Sequence, residues 1–238
     1  MDPAAYYRYQ AKARGLNSVA DVMKVVAQNT MLYDKIVLPW LPENREAAIY
    51  EAACGPGIFL HWLRKRGYTN ASGTDSSEAQ IDLAKEGGLR ISLVDSIEDL
   101  RRCPASSLDC LVALDFYEHL PKELLLDFLV EAERVLRAGG RLILRGPNGD
   151  SPVLGRALYN DITHQGALTT IAFNAVLTMV GFQRTEFKDD TIAGIHKQRW
   201  LRVPIAWLGQ QIFRSLIRVA TRENIQCLSA SMFLCGWK

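Results

Sequence analysis

Nowhere in its 238 residues does the chain carry an apolar run long enough to cross a bilayer, so a helical membrane span is not expected. Paired cysteines are missing as well. Cys54, Cys103, Cys110, Cys227 and Cys235 form no CxxC unit, and their odd number argues for reduced thiols rather than a disulfide framework. The four histidines, His61, His119, His164 and His196, have no metal-ligand spacing, so no metal site is expected. A net charge of +2 is too small to make nucleic acid an obligatory partner. Neither an internal repeat nor a low-complexity tract occurs. Met1-Asp2-Pro3 lacks the basic segment and apolar stretch of a secretory signal, and a cytoplasmic location is the expectation.

What remains is an ordinary globular composition, 48% hydrophobic and 23% charged, in a chain long enough for one substantial core. Residues 1–42 are rich in helix formers and aromatics and read as a helical N-terminal arm. From Ala47 onward, strand-length apolar runs alternate with amphipathic helical stretches, the pattern of a parallel α/β sheet. Strands are expected at 47–53, 71–75, 89–94, 108–114 and 141–145, with a helix from Pro121 to Arg137 that Gly139-Gly140 ends. A looser segment, 147–165, leads to a helix ending at Val180. Two further strands follow, at 182–187 and 225–237.

Glu51-Ala52-Ala53-Cys54-Gly55-Pro56-Gly57 closes the first of these strands and opens a helix. In such a sheet the carboxyl ends of the strands line the ligand crevice, and glycine lets the backbone approach a ligand closely. A dinucleotide fingerprint would place a third glycine where Leu60 stands, which weakens the nicotinamide reading. Asp75 ends the second strand, eighteen positions after Gly57, where a carboxylate can accept hydrogen bonds from two ribose hydroxyls. Taken singly, Gly55 or Gly57 fits a plain turn equally well, and Asp75 fits a helix cap. Their joint order carries the argument.

Glu51-x-Ala53-x-Gly55-x-Gly57, Gly73-Thr74-Asp75-x-Ser77, Val94-Asp95-Ser96 and Leu114-Asp115-x-x-Glu118-His119-Leu120 together resemble the class I S-adenosylmethionine (SAM)-dependent methyltransferases over residues 45–190. The resemblance implies a Rossmann-like, seven-stranded, mostly parallel sheet with an antiparallel terminal hairpin and helices on both faces. It further implies a methyltransferase domain over 43–238 and SAM as cofactor. The glycine loop then follows the methionine moiety, the acid after the second strand holds the ribose, and the acid after the third contacts the adenine amine. The cofactor set implied is Glu51, Ala53, Gly55, Gly57, Asp75, Ser76, Asp95, Ser96 and Asp115. Ala53 stands where the family usually has the first glycine of its triplet.

The SAM methyl is already activated, so the protein must align an acceptor atom and supply a base if that atom bears a proton. Candidate bases at the strand exits are Asp115, His119, Asn148, Asp161 and His164, with Glu118 read as structural. Tyr159-Asn160-Asp161-Ile162-Thr163-His164 has the polarity and position of a site-lining loop, which selects His164 and Asp161 as catalytic candidates. A solvated loop capped by Thr163 is the competing reading. This loop and the following helix, together spanning the acceptor region 147–181, resemble bacterial methyltransferases of surface-polysaccharide synthesis. That similarity implies O-methylation of a small-molecule or glycan hydroxyl. His61 and His196 read as surface or packing residues.

Between 203 and 222 runs an inserted amphipathic helix with Ile205, Leu208, Ile212, Leu216 and Val219 on one face and Arg214, Arg218 and Arg222 on another. Peripheral contact with an anionic membrane, packing on the sheet and closure of a homodimer all fit it. Tyr6, Tyr7 and Tyr9 are candidates for a lid or for core contacts. The competing functions are a SAM-fold subunit that binds without turnover, a nicotinamide-dependent oxidoreductase, and a protein or RNA methyltransferase. Against the last stand the missing basic aromatic platform and Asp115-Phe116-Tyr117 where amine-modifying enzymes carry an Asn-Pro-Pro-Tyr type motif.

Overall fold

A computed structural model describes residues 15–190, 202–222 and 224–238. Tyr6, Tyr7, Tyr9, His196 and the Ile205 side chain lie outside this set. Seven strands form one sheet: β1 Ile49–Ala52, β2 Ala71–Asp75, β3 Ile91–Leu93, β4 Leu108–Leu114, β5 Leu136–Pro147, β6 Arg184–Asp189 and β7 Ser231–Trp237. Their order is β3-β2-β1-β4-β5-β7-β6. Strands β1 to β5 run parallel, and β7 lies antiparallel between β5 and β6. The order reverses between β1 and β4, so the carboxyl ends of these strands open a crevice where the chain leaves in opposite directions.

Eight α-helices are described: α1 Val19–Ile36, α2 Ile58–Lys65, α3 Glu78–Glu86, α4 Ser96–Arg102, α5 Lys122–Val135, α6 Leu154–Leu158, α7 Thr170–Val180 and α8 Arg202–Thr221. Buried strand residues face both sides of the sheet. On one side Ile49, Cys110, Val112 and Ile143 pack with α1 and α2; on the other Ala52, Leu111, Ala113 and Leu144 pack with α5 and α7. The near-continuous apolar β4, Cys110-Leu-Val-Ala113, is what a centrally placed parallel strand requires. Tyr33 on α1 meets Phe59 and Trp62 of α2 edge-on, at centroid separations of 5.2 and 5.3 Å. The first helix therefore shares the core of the sheet that it precedes.

Gly139-Gly140, expected to end a helix, instead lie inside β5. The helix stops at Val135, Leu136 already pairs with Leu108, and the chain bulges before Arg141 meets Cys110. Gly139 takes φ +75°, and its N–H donates to the Lys238 carbonyl. Glycine here bends a strand rather than capping a helix, because the C-terminal residue supplies the partner. The last strand begins at Ser231, not Ile225. Among the described residues no helix is long and apolar enough to cross a membrane.

Candidate active site

A cleft of about 520 Å³ opens over the carboxyl ends of β1, β2, β4 and β5. One end is the turn after β1. Ala53, Gly55 and Gly57 all adopt left-handed backbone, with φ of 52°, 53° and 79°. Glycine tolerates this conformation, whereas alanine pays about 1–2 kcal/mol for it. The turn is nevertheless held: the Ala53 N–H donates to Ser96 Oγ at 2.9 Å, and the Gly55 N–H donates to Asp75 Oδ2 at 2.8 Å. Asp75 Oδ1 accepts the Ser77 N–H at 2.8 Å. Each carboxylate oxygen of Asp75 thus spends one lone pair on the loop and keeps another for a ligand.

Glu51 faces the same cleft from β1 and is almost fully buried. Burial, then the neighbouring Asp75, raises its carboxyl well above the usual carboxylate range. Its Oε2 has no hydrogen-bond partner among the described residues. A buried, unpartnered carboxyl oxygen beside a glycine loop suits a cationic ligand, and SAM offers both an ammonium and a sulfonium. The residues present therefore fit the cofactor. Asp115, at φ 55° after β4, pairs with Arg145 of β5, whose other amino group reaches Asp190 at 2.8 Å.

The opposite end gathers polar groups from two segments: Glu118 and His119 after β4, and Asp161 and His164 from the loop before α7. His164 Nδ1 lies 3.0 Å from the Leu158 carbonyl, which can only accept, so Nδ1 carries a proton and the neutral ring presents its lone pair at Nε2. That Nε2 stands 4.0 Å from Glu118 Oε1. The imidazoles of His119 and His164 meet edge-on at 4.8 Å. Burial, then the nearby His164, lowers the His119 pKa. Burial, then Asp115, raises Glu118, whose Oε2 lacks a hydrogen-bond partner among the described residues. Donor atoms of Glu118, His119 and His164 lie within 4.8 Å of one another, close enough to surround a single proton or cation. Histidine spacing along the chain does not announce this trio, since His119 and His164 are brought together only by folding.

Other expected site residues are placed differently. Asp95 is exposed and caps α4 by accepting the Ile97 and Glu98 N–H groups, and it does not line the cleft. Ser96 is buried behind the turn, bonded to Ala53 and Thr74. Ser76 does line the cleft. Asn148 is fully buried; its amide donates to the Cys227 and Ser229 carbonyls, so it anchors β7 and is no base. Asp161 lines the cleft, while its Oδ1 accepts both the N–H and the hydroxyl of Thr163. His61 is buried, as a packing residue would be.

Sequence reasoning did not single out Tyr33, Gln80, Phe116, Arg145 or Ser231 as part of the cleft. Apolar periodicity places Tyr33 in a helix but cannot say that the helix borders the cleft. Ser231 enters through the antiparallel return of β7 beside Pro147.

Residues 50–144 match the family model described as a methyltransferase domain. A 37.1 kDa protein of a Streptomyces fradiae transposon is 29% identical over 124 residues, a match that spans 50% of this chain and 35% of that protein. Among solved structures, a SAM-dependent methyltransferase from Archaeoglobus fulgidus superposes with a TM-score of 0.69 at 19% identity, covering 98% of this chain and 99% of that one. Phosphoethanolamine N-methyltransferase 2 of Haemonchus contortus, in complex with SAM, gives 0.58 at 13% identity over 86% of this chain and 51% of that one. The strand order and the turn after β1 agree with the match over residues 50–144: the chain has the Rossmann-like methyltransferase fold, and this stretch of it matches the methyltransferase-domain model.

Proposed function

We propose that the protein transfers the methyl group of SAM to a hydroxyl of a small-molecule or glycan acceptor, an O-methylation suited to surface-polysaccharide synthesis. The observation that carries this reading is His164, whose Nε2 faces the cleft while Nδ1 is fixed on the Leu158 carbonyl. When bound, SAM supplies an electrophilic methyl on a positively charged sulfur. The chain's own work is to orient and to move one proton. Glu51, Asp75 and the turn from Ala53 to Pro56 hold the cofactor, Gly57 shapes the turn from behind against Leu89 and Ala84, and Asp115 and Ser76 flank the cofactor. The acceptor hydroxyl lies at the far end, where His164 Nε2 takes its proton as the methyl arrives. His119 and Asp161 border the same space, Asp161 keeping the loop in shape through Thr163.

A neutral imidazole suits a hydroxyl, which must lose its proton to become a competent nucleophile. A free amine needs no such base at the moment of attack. The test is methyl transfer from labelled SAM to a panel of sugars and polyols, with S-adenosylhomocysteine affinity measured alongside. His164→Ala is expected to lower turnover by about a hundredfold, within the range for loss of a general base, at unchanged S-adenosylhomocysteine affinity. Normal turnover at saturating acceptor would remove His164 from the chemistry. Activity lost to a chelator and restored by a divalent cation would make Glu118, His119 and His164 cation ligands instead.

A further inference from the structure

Helix α8 carries its apolar stripe on the wrong side for a helix that covers a sheet. Leu208, Ile212, Leu216 and Val219 are 54, 54, 61 and 85% exposed, while Phe213, Arg214 and Ile217 on the opposite face are partly covered. At 100° per residue the four exposed apolar positions fall within one quadrant, roughly 16 Å long. Arg218, exposed, borders that quadrant on one side, and Arg222, also exposed, follows just past the helix end. Contiguous exposed apolar surface of this kind marks a place where another phase or molecule is met.

The helix is also tethered at one particular edge of the fold. Arg214 donates to the Gln226 carbonyl at 2.9 Å and stands 3.6 Å from Asp189 Oδ2. Asp189 ends β6, and its Oδ1 accepts the Leu228 and Ser229 N–H groups just before β7 begins. β7 starts at Ser231, which lines the cleft beside Pro147. Thus α8 is inserted between the end of β6 and the start of β7, on the edge of the sheet where the cleft opens.

We propose that α8 docks this domain on an anionic lipid surface, apolar stripe inserted and arginines at the headgroups, so that the cleft meets an acceptor carried on a lipid. Charge favours this occupant: the exposed Arg218 beside the stripe and the exposed Arg222 just past the helix end are neutralised by anionic headgroups, and long arginine stems reach outward from an apolar face. The inference rests on the cleft being a methyl-transfer site, and its test separates the two.

Full-length protein is sedimented with vesicles of phosphatidylcholine alone and with added phosphatidylglycerol, and S-adenosylhomocysteine binding is measured on the same samples. Binding to the anionic vesicles, weakened by salt, is expected. Ile212→Asp/Leu216→Asp and Arg218→Glu/Arg222→Glu should each reduce it by about tenfold or more while leaving S-adenosylhomocysteine affinity and the melting temperature intact. No vesicle binding by a protein that binds S-adenosylhomocysteine overturns the docking alone. Loss of S-adenosylhomocysteine binding would instead strike the cofactor reading. A dimer in sedimentation velocity that Ile212→Asp/Leu216→Asp dissociates, without vesicle binding, assigns the stripe to a second copy and overturns the proposal.

Discussion

Asp75→Ala isolates what the acid at the end of β2 contributes. A carboxylate has about four acceptor sites, and two are occupied by the Gly55 and Ser77 N–H groups. The remaining two match the two hydroxyls of a ribose. Hydrogen bonds to a charged group contribute about 1.5–3 kcal/mol each, and part of that is regained when water replaces the lost carboxylate. A net loss of about 2–3 kcal/mol corresponds to roughly 30- to 150-fold weaker binding. The substitution also frees two loop N–H groups, but the loop is open to water, so a stability loss of only about 1 kcal/mol is expected. Calorimetric titration with S-adenosylhomocysteine, with NAD as control ligand, reads the first effect; a thermal melt reads the second. A folded Asp75→Ala protein whose affinity changes by less than about threefold would show that the carboxylate serves the loop and not the ligand. Binding of NAD in place of S-adenosylhomocysteine would refute the cofactor assignment itself.

Ala53→Gly should relieve the left-handed strain at φ 52°, offset in part by glycine's freedom in the unfolded chain, for a gain of up to about 1 kcal/mol seen as a higher melting temperature. A lower one would mean that the alanine methyl packs usefully in the cleft. Glu118→Gln tests the buried carboxyl through stability against pH. With its folded-state pKa raised above the ordinary 4.5, Glu118 holds its proton more tightly when folded, so its contribution is complete below that value and is lost as pH climbs toward the raised one. The glutamine variant should lack this part of the decline in urea denaturation as pH rises above the ordinary 4.5. An unchanged slope would show that Glu118 is ionised in the folded protein.

The main sheet and the glycine turn after β1 were legible because both are written locally. Apolar runs of strand length, each followed by a helical period, dictate parallel crossovers, and β2 and β4 fall at the residues their patterns indicate. Gly55 and Asp75 likewise meet because short connections after adjacent strands β1 and β2 emerge at the same edge. What depended on distant partners was not legible. Gly139 becomes a strand bulge because Lys238 supplies its acceptor, ninety-nine residues further along the chain.

At the acceptor end the residue types alone, His164 with Asp161, were visible in a polar loop. Tertiary packing decided that His164 lies against Glu118 and His119, and that Asn148 turns away to hold β7. The same division holds for α8. Its sequence determines an apolar stripe and a basic one, since both follow from helical periodicity. That the apolar stripe faces water was settled only by tertiary contacts such as those of Arg214 at the edge of β6 and β7, because a period fixes relative angles around a helix axis but not the rotation of that axis against the rest of the molecule.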